Sequence, residues 1–384
     1  MKNTEEIRSL IDKVFESNKQ KNVVQEFEEK FSEKFGVKYS VSVNSGTSGL
    51  HAALYAAGVG PGDEVISPAV TVIMDSYVTL YMGATPVFVD INPDTWNIDV
   101  NEIEKNITEK TKAIIVVSLY GLPVDIDPIM ELARKHNIVV IDDSAETVLS
   151  DYKGKVAGTC ADIGVYSFEK KKHMTTGSEG GMIVTNNETF AERARKFAGI
   201  GFKNLTATAG RTHFASPVFQ DPDYERFDCI GYNYRMNVMT AACGIAQLEI
   251  LDELVDKRKK IGKMFLEAVE GCSWIETQKV YDYCEHSHYT FGLLYNGDIP
   301  WKQFYNRYLE MGGDGFYGCW KPPYLEPSLK GRNFDGREYP EGSFPVAEEY
   351  QKKIMAFKTN YKSLDVAQEK VSILSNLIDE IGRN

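Results

Sequence analysis

Two unbroken apolar runs constrain this chain most: IIVV within TKAIIVVSLYG (111–121) and IVVI within IVVIDDSAE (138–146). A strand with one wet face alternates apolar and polar residues, whereas a strand buried on both faces does not. Between the two runs lies DPIMELARKHN (127–137), apolar at helical spacing. Strand, helix and strand in that order form the βαβ unit of a parallel sheet with helices on both faces. The alternation begins earlier, in VKYSVSVNSG (37–46), SGLHAALYAAG (48–58), GDEVISP (62–68), DSYVTLYMGA (75–84) and TPVFVD (85–90). It continues into the strands DIGVYSF (162–168) and GGMIVTN (180–186), separated by a loop at 169–179. The expected class is α/β, with a mostly parallel central sheet.

After about residue 240 the pattern changes. Residues 240–271 read as one long helical stretch, HYTFGLLYN (288–296) as strand-like, and VAQEKVSILSNLIDEIG (366–382) as a helix. A chain of 384 residues exceeds one ordinary domain. We therefore expect a large α/β domain over 1–250 and a smaller C-terminal α+β domain over 251–384. Lys and Arg total 43 against 55 Asp and Glu, a net charge of -12, which argues against nucleic acid as a partner. The charged, amphipathic opening MKNTEEIRSLIDKVFE has no apolar core of a secretory signal, and no apolar run reaches the roughly 20 residues that span a bilayer. Six cysteines lie far apart with no C-x-x-C pair, so no metal centre or disulfide framework is expected. A reducing, cytoplasmic location is the expectation, without membrane contact.

Sheets of this kind bind ligands at the carboxyl ends of their strands. The polar clusters fall there: Asn44–Ser48, Ser118–Gly121, Asp142–Glu146 and Ser167–Gly181. In YSFEKKKHMTTGSEGGMIVTNN (166–187), three consecutive lysines would ordinarily be solvated charge. Here buried strands bracket them and three glycines follow, which lets backbone approach a ligand. A lysine amine held there can condense with an aldehyde cofactor. A carboxylate at the end of IVVIDD is often only a cap, but pyridoxal phosphate needs one beside its ring nitrogen, which must stay protonated. Asp143 is the candidate and Asp142 its competitor. Gly46, Thr47 and Ser48 open a helix; such residues commonly cap, and they also present free N–H groups to a phosphate. Ser167 joins them from another strand end.

Together and in this order, these elements resemble fold-type-I pyridoxal-phosphate enzymes, and more narrowly the sugar-nucleotide aminotransferases of the DegT/StrS group. Further matching segments are PGDEVISPAVTV (61–72), GATPVFVDINPDTWNID (83–99), VSLYGLPVDIDPI (117–129) and GYNYRMNVMTAACGIAQLEILDEL (231–254). The resemblance runs from about residue 24 to the carboxyl terminus and weakens past 260. It implies that Lys172, five residues after the serine of the S-F motif, holds the cofactor as a Schiff base, and that Asp143 partners the ring nitrogen. It places Glu146 near the cofactor ring, Thr47 and Ser167 on the phosphate, and Asn233 on the phosphate of a neighbouring subunit, hence a homodimer with shared active sites. Further candidates for contacting substrate are His173, Arg211, Tyr234 and Trp320.

The chain departs from the family pattern at three places. Val72 stands where the family stacks an aromatic ring on the cofactor. Ser178 is an extra residue within T-T-G-E-G-G. The stretch 203–230 is longer than usual and contains Arg211. The implied activity is transfer of an amino group from an amino acid, L-glutamate, to a keto-sugar nucleotide, with pyridoxamine phosphate carrying the amine between half-reactions. Two other readings remain: a pyridoxamine-phosphate-dependent sugar dehydratase, whose relatives carry His at the lysine position and which His173 keeps in view, and a non-catalytic cofactor-binding homologue.

Overall fold

The structure is a computed structural model that describes residues 4–16, 23–209 and 220–384. Its largest sheet contains β1 (Tyr39–Val43), β2 (Glu64–Pro68), β3 (Thr85–Val89), β4 (Thr111–Val117), β5 (Val139–Asp143), β8 (Ile163–Ser167) and β9 (Gly181–Thr185). These seven strands lie in the order β1-β9-β8-β5-β4-β2-β3. β3, β2, β4, β5 and β8 pair in parallel, and β9 runs antiparallel to both of its neighbours.

The unbroken apolar runs follow from burial on both faces. Along β4, Ala113, Ile115 and Val117 enter one core with Leu50, Leu54 and Ile141, while Ile114 and Val116 enter another with Ile129, Met130 and Val140. The first core is closed by α3 (Gly46–Ala57) and α7 (Glu188–Ala198), the second by α6 (Ile126–His136). α1 (Thr4–Glu16) and α2 (Val23–Phe35) precede the sheet, and α4 (Met74–Tyr81) and α5 (Val100–Asn106) connect its strands.

The helical stretch read over 240–271 is two helices, α8 (Val238–Glu249) and α9 (Leu251–Val269), broken at Ile250 (φ -109°, ψ 12°). No glycine or proline marks the break. Ile245 and Leu248 pack with Phe27 and Phe31 of α2, whereas Ile261 and Phe265 pack with Phe291 and Phe357 of a second core. One straight helix would serve only one of these.

The smaller sheet is antiparallel, in the order β10-β12-β14-β13, with β10 (Ile275–Thr277), β12 (Thr290–Tyr295), β13 (Tyr317–Gly318) and β14 (Ile354–Lys358). α9, α10 (Trp301–Glu310) and α12 (Leu364–Ile381) bury Phe265, Phe304, Tyr308 and Leu374 against it. A ribbon joins the two bodies: β6 (Asp151–Tyr152) pairs with β7 (Lys155–Val156) and with β11 (Cys284–Glu285). Among the described residues, no helix is long and apolar enough to cross a membrane.

A second tie is a helix cap supplied across the domains. α11 (Pro345–Lys353) has no side-chain cap of its own. Asp90, just past β3, accepts from the Val346 N–H at 3.0 Å and the Ala347 N–H at 2.8 Å. Asp90→Ala should lower the free energy of unfolding by about 1–2 kcal/mol. Denaturant unfolding checks this, and an unchanged midpoint would refute the cap's contribution.

Candidate active site

The site forms where β1, β5 and β8 end. α3 starts immediately after β1, with Ser45 as its cap: the Ser48 N–H donates to Ser45 Oγ at 3.1 Å, and the Gly49 N–H to the Ser45 carbonyl at 3.1 Å. The first helical turn has no internal acceptors for its N–H groups. With those two satisfied, the amides of Gly46 and Thr47 remain for an anion. The Ser48 hydroxyl turns inward to Asn44 Oδ1, so of the three predicted donors Ser48 is taken up by the cap. Gly46 lies so close to β8 that a Cβ there would stand 2.9 Å from Ser167 Cβ, which puts the helix start and the Ser167 hydroxyl at one spot.

The glycines after the lysine loop serve a packing purpose. A Cβ on Gly181 would meet the Ser45 carbonyl at 2.7 Å, and one on Gly180 would meet Thr176 Oγ1 at 2.1 Å. Gly181 lets β9 lie against the Ser45–Gly46 turn, and Gly180 makes room for the Thr176 side chain. The extra residue Ser178 takes a positive φ of 142°, and its carbonyl accepts the Lys170 N–H at 3.1 Å, closing the loop.

Asp142 and Asp143 point to opposite faces of β5, as adjacent strand residues must. Asp142 accepts from Ser118 Oγ at 3.4 Å; burial, with the Asp143 charge assisting, outweighs the hydrogen bonds of Ser144 and Ser118 and raises it to about 7. Asp143 accepts from the Ala145 N–H at 3.0 Å; burial raises it to about 6, with the Lys172 ammonium pulling the other way. Of the two, Asp143 is the one in the field of Lys172. A third carboxyl, Asp75 of α4, is fully buried. Thr71 Oγ1 donates to its Oδ2, while its Oδ1 has no partner. Burial first, then the Asp143 charge, holds it well above the usual carboxylate range, with the Thr71 hydrogen bond opposing.

Lys172 is largely buried, with Nζ 3.4 Å from Glu146 Oε1 and 4.5 Å from the centre of the Tyr289 ring. Burial pulls its amine down, but Glu146, Tyr289 and Asp143 outweigh this and leave it raised. Glu146 is fixed in turn, its Oε2 accepting the Tyr120 N–H at 2.9 Å. Tyr120 pays for that contact with a left-handed backbone (φ 60°, ψ 3°), strain of the kind that collects at functional sites. Arg258 of α9 donates to the carbonyls of Lys171 (2.8 Å), Lys172 (3.0 Å) and Tyr289 (2.6 Å). Neither Arg258 nor Tyr289 figured among the sequence candidates. Arg258 left one trace there: it sits on the apolar stripe Leu251, Val255, Arg258, Gly262, Phe265, where a charge needs a reason.

The other candidates scatter. Val72 is half-buried in the turn after β2, at the same sheet end as Asp143. Asn233 is exposed and bridges to Gly199, in a segment whose Tyr234 carbonyl accepts the Asn44 N–H at 2.8 Å. The Tyr234 hydroxyl goes to His51 Nδ1 at 3.0 Å and its ring stacks on Tyr232, so it packs on α3 instead of facing Lys172. His173 is buried, its Nε2 meeting the Ser287 carbonyl at 3.3 Å; burial, then the Arg258 charge, holds it well below the usual histidine value, so it is neutral. It backs the lysine loop and does not replace Lys172. Trp320 is 59% exposed, near Tyr317, whose hydroxyl lies 3.4 Å from Lys171 Nζ. Arg211 lies outside the described residues.

These residues fit a phosphate-bearing aromatic aldehyde: free amides and a hydroxyl for the phosphate, a buried carboxyl for a ring nitrogen, and a buried amine for the carbonyl carbon. The comparisons with known proteins agree. The sequence profile of the DegT/DnrJ/EryC1/StrS aminotransferase family matches residues 2–371. The chain is 40% identical over 293 residues to a GDP-perosamine synthase of Escherichia coli O157:H7, covering 76% of this chain and 75% of that one. It is 44% identical over 239 residues to a GDP-perosamine synthase of Caulobacter vibrioides, covering 62% and 59%. Among solved structures, an aminotransferase from Psychrobacter cryohalolentis superposes with a TM-score of 0.87 at 28% identity over 98% of each chain. S. venezuelae DesV in complex with a ketimine intermediate gives 0.84 at 26% identity over 97% and 94%.

Proposed function

Because the chain belongs to the DegT/DnrJ/EryC1/StrS aminotransferase family, and is a pyridoxal-phosphate-dependent sugar aminotransferase, we propose that it moves an amino group from L-glutamate to a keto-sugar carried on a nucleotide, in amino-sugar biosynthesis. The observation that carries this reading is the buried Lys172 amine, set against Glu146 and Tyr289 in the field of Asp143. Pyridoxal phosphate supplies an electron-poor ring that stores the electron pair released at the carbon losing its proton.

The chain's own residues do the rest. The amides of Gly46 and Thr47, with the Ser167 hydroxyl, hold the phosphate. Asp143 keeps the proton on the ring nitrogen. Lys172 would serve as general base and then acid, taking the proton from the donor's α-carbon and returning one on the cofactor side. Glu146 orients the ammonium between these two tasks. Val72 covers one ring face, and Trp320 with Tyr317 borders the sugar-nucleotide entrance.

The nucleotide-linked acceptor is supported by the names of the two relatives. A homodimer is supported by exposed apolar side chains: Tyr81 (60%) and Tyr232 (45%), both against His51 of α3, and Phe227 (55%) and Ile230 (92%). In such a dimer Asn233 of the partner subunit completes the phosphate site. The six free thiols suit a reducing cytoplasm. The dehydratase reading gains nothing from His173, which is neutral and turned to Ser287.

The test is spectroscopic. The protein loaded with pyridoxal phosphate is mixed with L-glutamate, then with keto-sugar nucleotides and with the same sugars free. The reading requires that glutamate bleach the yellow band and that only nucleotide-linked sugars restore it. Bleaching by another amino acid alone would move the donor assignment, and release of ammonia with a deoxy-sugar would replace transamination by dehydration.

A further inference from the structure

The loop of Lys172 holds only its backbone. Lys170 and Lys171 before it are exposed, and the loop closes on itself through the Ser178 carbonyl and the Glu169 carbonyl, which accepts the Lys172 N–H at 2.9 Å. Besides Glu146, which meets Nζ, the groups that fix it come from beyond residue 250. The Arg258 guanidinium donates through Nη2 to the Lys171 and Lys172 carbonyls, and through Nη1 to the Tyr289 carbonyl and to Thr359 Oγ1 at 3.2 Å. Thr359 Oγ1 in turn donates to the His288 carbonyl at 2.6 Å. The guanidinium also lies 5.5 Å from the centre of the Tyr289 ring, and the Lys172 ammonium 4.5 Å from it. One aromatic ring thus meets two cations, and one of those cations grips the backbone that carries the other.

We propose that Arg258 and Tyr289 are a pair of positioning residues for Lys172: Arg258 fixes the lysine loop by its two carbonyls, and the Tyr289 ring seats the ammonium beside Glu146. The two terminal nitrogens of a planar guanidinium reach the Lys171 and Lys172 carbonyls on one side and Tyr289 and Thr359 on the other, a span that a single ammonium does not cover. An aromatic face favours the charged amine, so Tyr289 raises the proton affinity of Lys172 while leaving its carbon stem free to swing. The pair comes from α9 and the residue just before β12, so the smaller domain sets the geometry of a lysine that the larger domain carries. The inference rests on Lys172 being the cofactor lysine.

The experiment compares wild type with Tyr289→Leu, Tyr289→Phe, Arg258→Met and Arg258→Lys. In cofactor-free protein, lysines are acylated at graded pH and the Lys172 peptide is followed by mass spectrometry. Tyr289→Leu is expected to lower the pH midpoint of Lys172 labelling by about one unit, and Tyr289→Phe, which keeps the ring, to leave it in place. Arg258→Met and Arg258→Lys are expected to speed hydrogen exchange across 169–176 in the same cofactor-free protein. In the loaded enzyme they should lower kcat about 10- to 100-fold, with KM for the amino donor changed less than threefold. A role confined to folding would lower the melting temperature without moving the labelling midpoint or the kcat-to-KM split, and that result overturns the proposal. So does a wild-type midpoint in Tyr289→Leu together with wild-type exchange in Arg258→Lys, the more conservative of the two arginine variants. Borohydride reduction of loaded wild type separates this from the parent reading: attachment of the cofactor to a lysine other than Lys172 would sink both.

Discussion

Lys172→Ala is expected to fold normally and to lose turnover by at least about 10³-fold, the upper range for a residue that is both covalent anchor and general base. Among the described residues, Lys172 is the amine that meets Glu146, while the neighbouring Lys171 reaches outward to Tyr317. Folding should survive because truncation removes one charge from a pocket that keeps its walls. Arg258 grips the carbonyls at 171 and 172, not the side chain, and would still hold the loop. The cofactor should still bind through Gly46, Thr47 and Ser167, but without the yellow colour of its covalent form. A small primary amine added to the buffer should restore part of the colour and a small part of the rate, since it supplies the missing nucleophile. Lys172→Arg should not respond in this way, because its bulk and charge fill the space. Turnover within tenfold of wild type in Lys172→Ala would refute the assignment outright.

The sequence carried most of this, unevenly. The parallel sheet was legible because IIVV and IVVI are buried on both faces, which only a covered sheet requires. The clustering of Gly46, Ser167, Asp143 and Lys172 was legible because they follow strand ends. The choice among three adjacent lysines was not, since each has the same chemistry and the loop has no period; the resemblance supplied it. Alternation showed that Asp142 and Asp143 face opposite ways, but which face holds the site depends on how helices cover the sheet. The glycines at 180 and 181 look the same in sequence, yet the first makes room for the Thr176 side chain and the second for the Ser45–Gly46 backbone. The kink at Ile250 and the grip of Arg258 both arise from the packing of α9 on a second core, a contact between segments more than 80 residues apart for Arg258 and Lys172. Local pattern does not record such contacts. Asp75 was hidden differently: at the start of a helix an aspartate usually reads as a solvated or dipole-pairing charge, and its full burial comes from tertiary packing alone.

Asp143→Asn should move activity and stability in opposite directions. Activity should fall by about 10²–10³-fold, the usual effect of removing a group that faces charge developing during the reaction. An amide has no negative charge to hold a proton on the ring nitrogen, and an unprotonated ring stores electrons poorly. Stability of the cofactor-free protein should rise at alkaline pH. Burial lifts the Asp143 carboxyl to about 6 from the usual 3.8. A group raised in the folded state contributes its full stability below its unfolded value and loses it as pH climbs through the folded value, so wild type should weaken from about pH 4 to beyond pH 6. Asparagine has no such titration, and at pH 8 it should relieve a penalty on the order of 3 kcal/mol. The two proteins should therefore melt at similar temperatures near pH 5, and the variant should melt higher at pH 8. Loading wild type with pyridoxal phosphate should close that gap, since a protonated ring nitrogen gives the buried carboxylate its partner. The measurement is a set of melting curves, with and without cofactor, between pH 5 and pH 8. A variant that melts lower than wild type at every pH would mean that Asp143 is chiefly a structural acceptor for the Ala145 N–H. Asp142→Asn serves as the control: its carboxyl titrates near 7 for the same reason of burial but faces Ser118, so that variant should share the alkaline stabilisation and keep most of the activity.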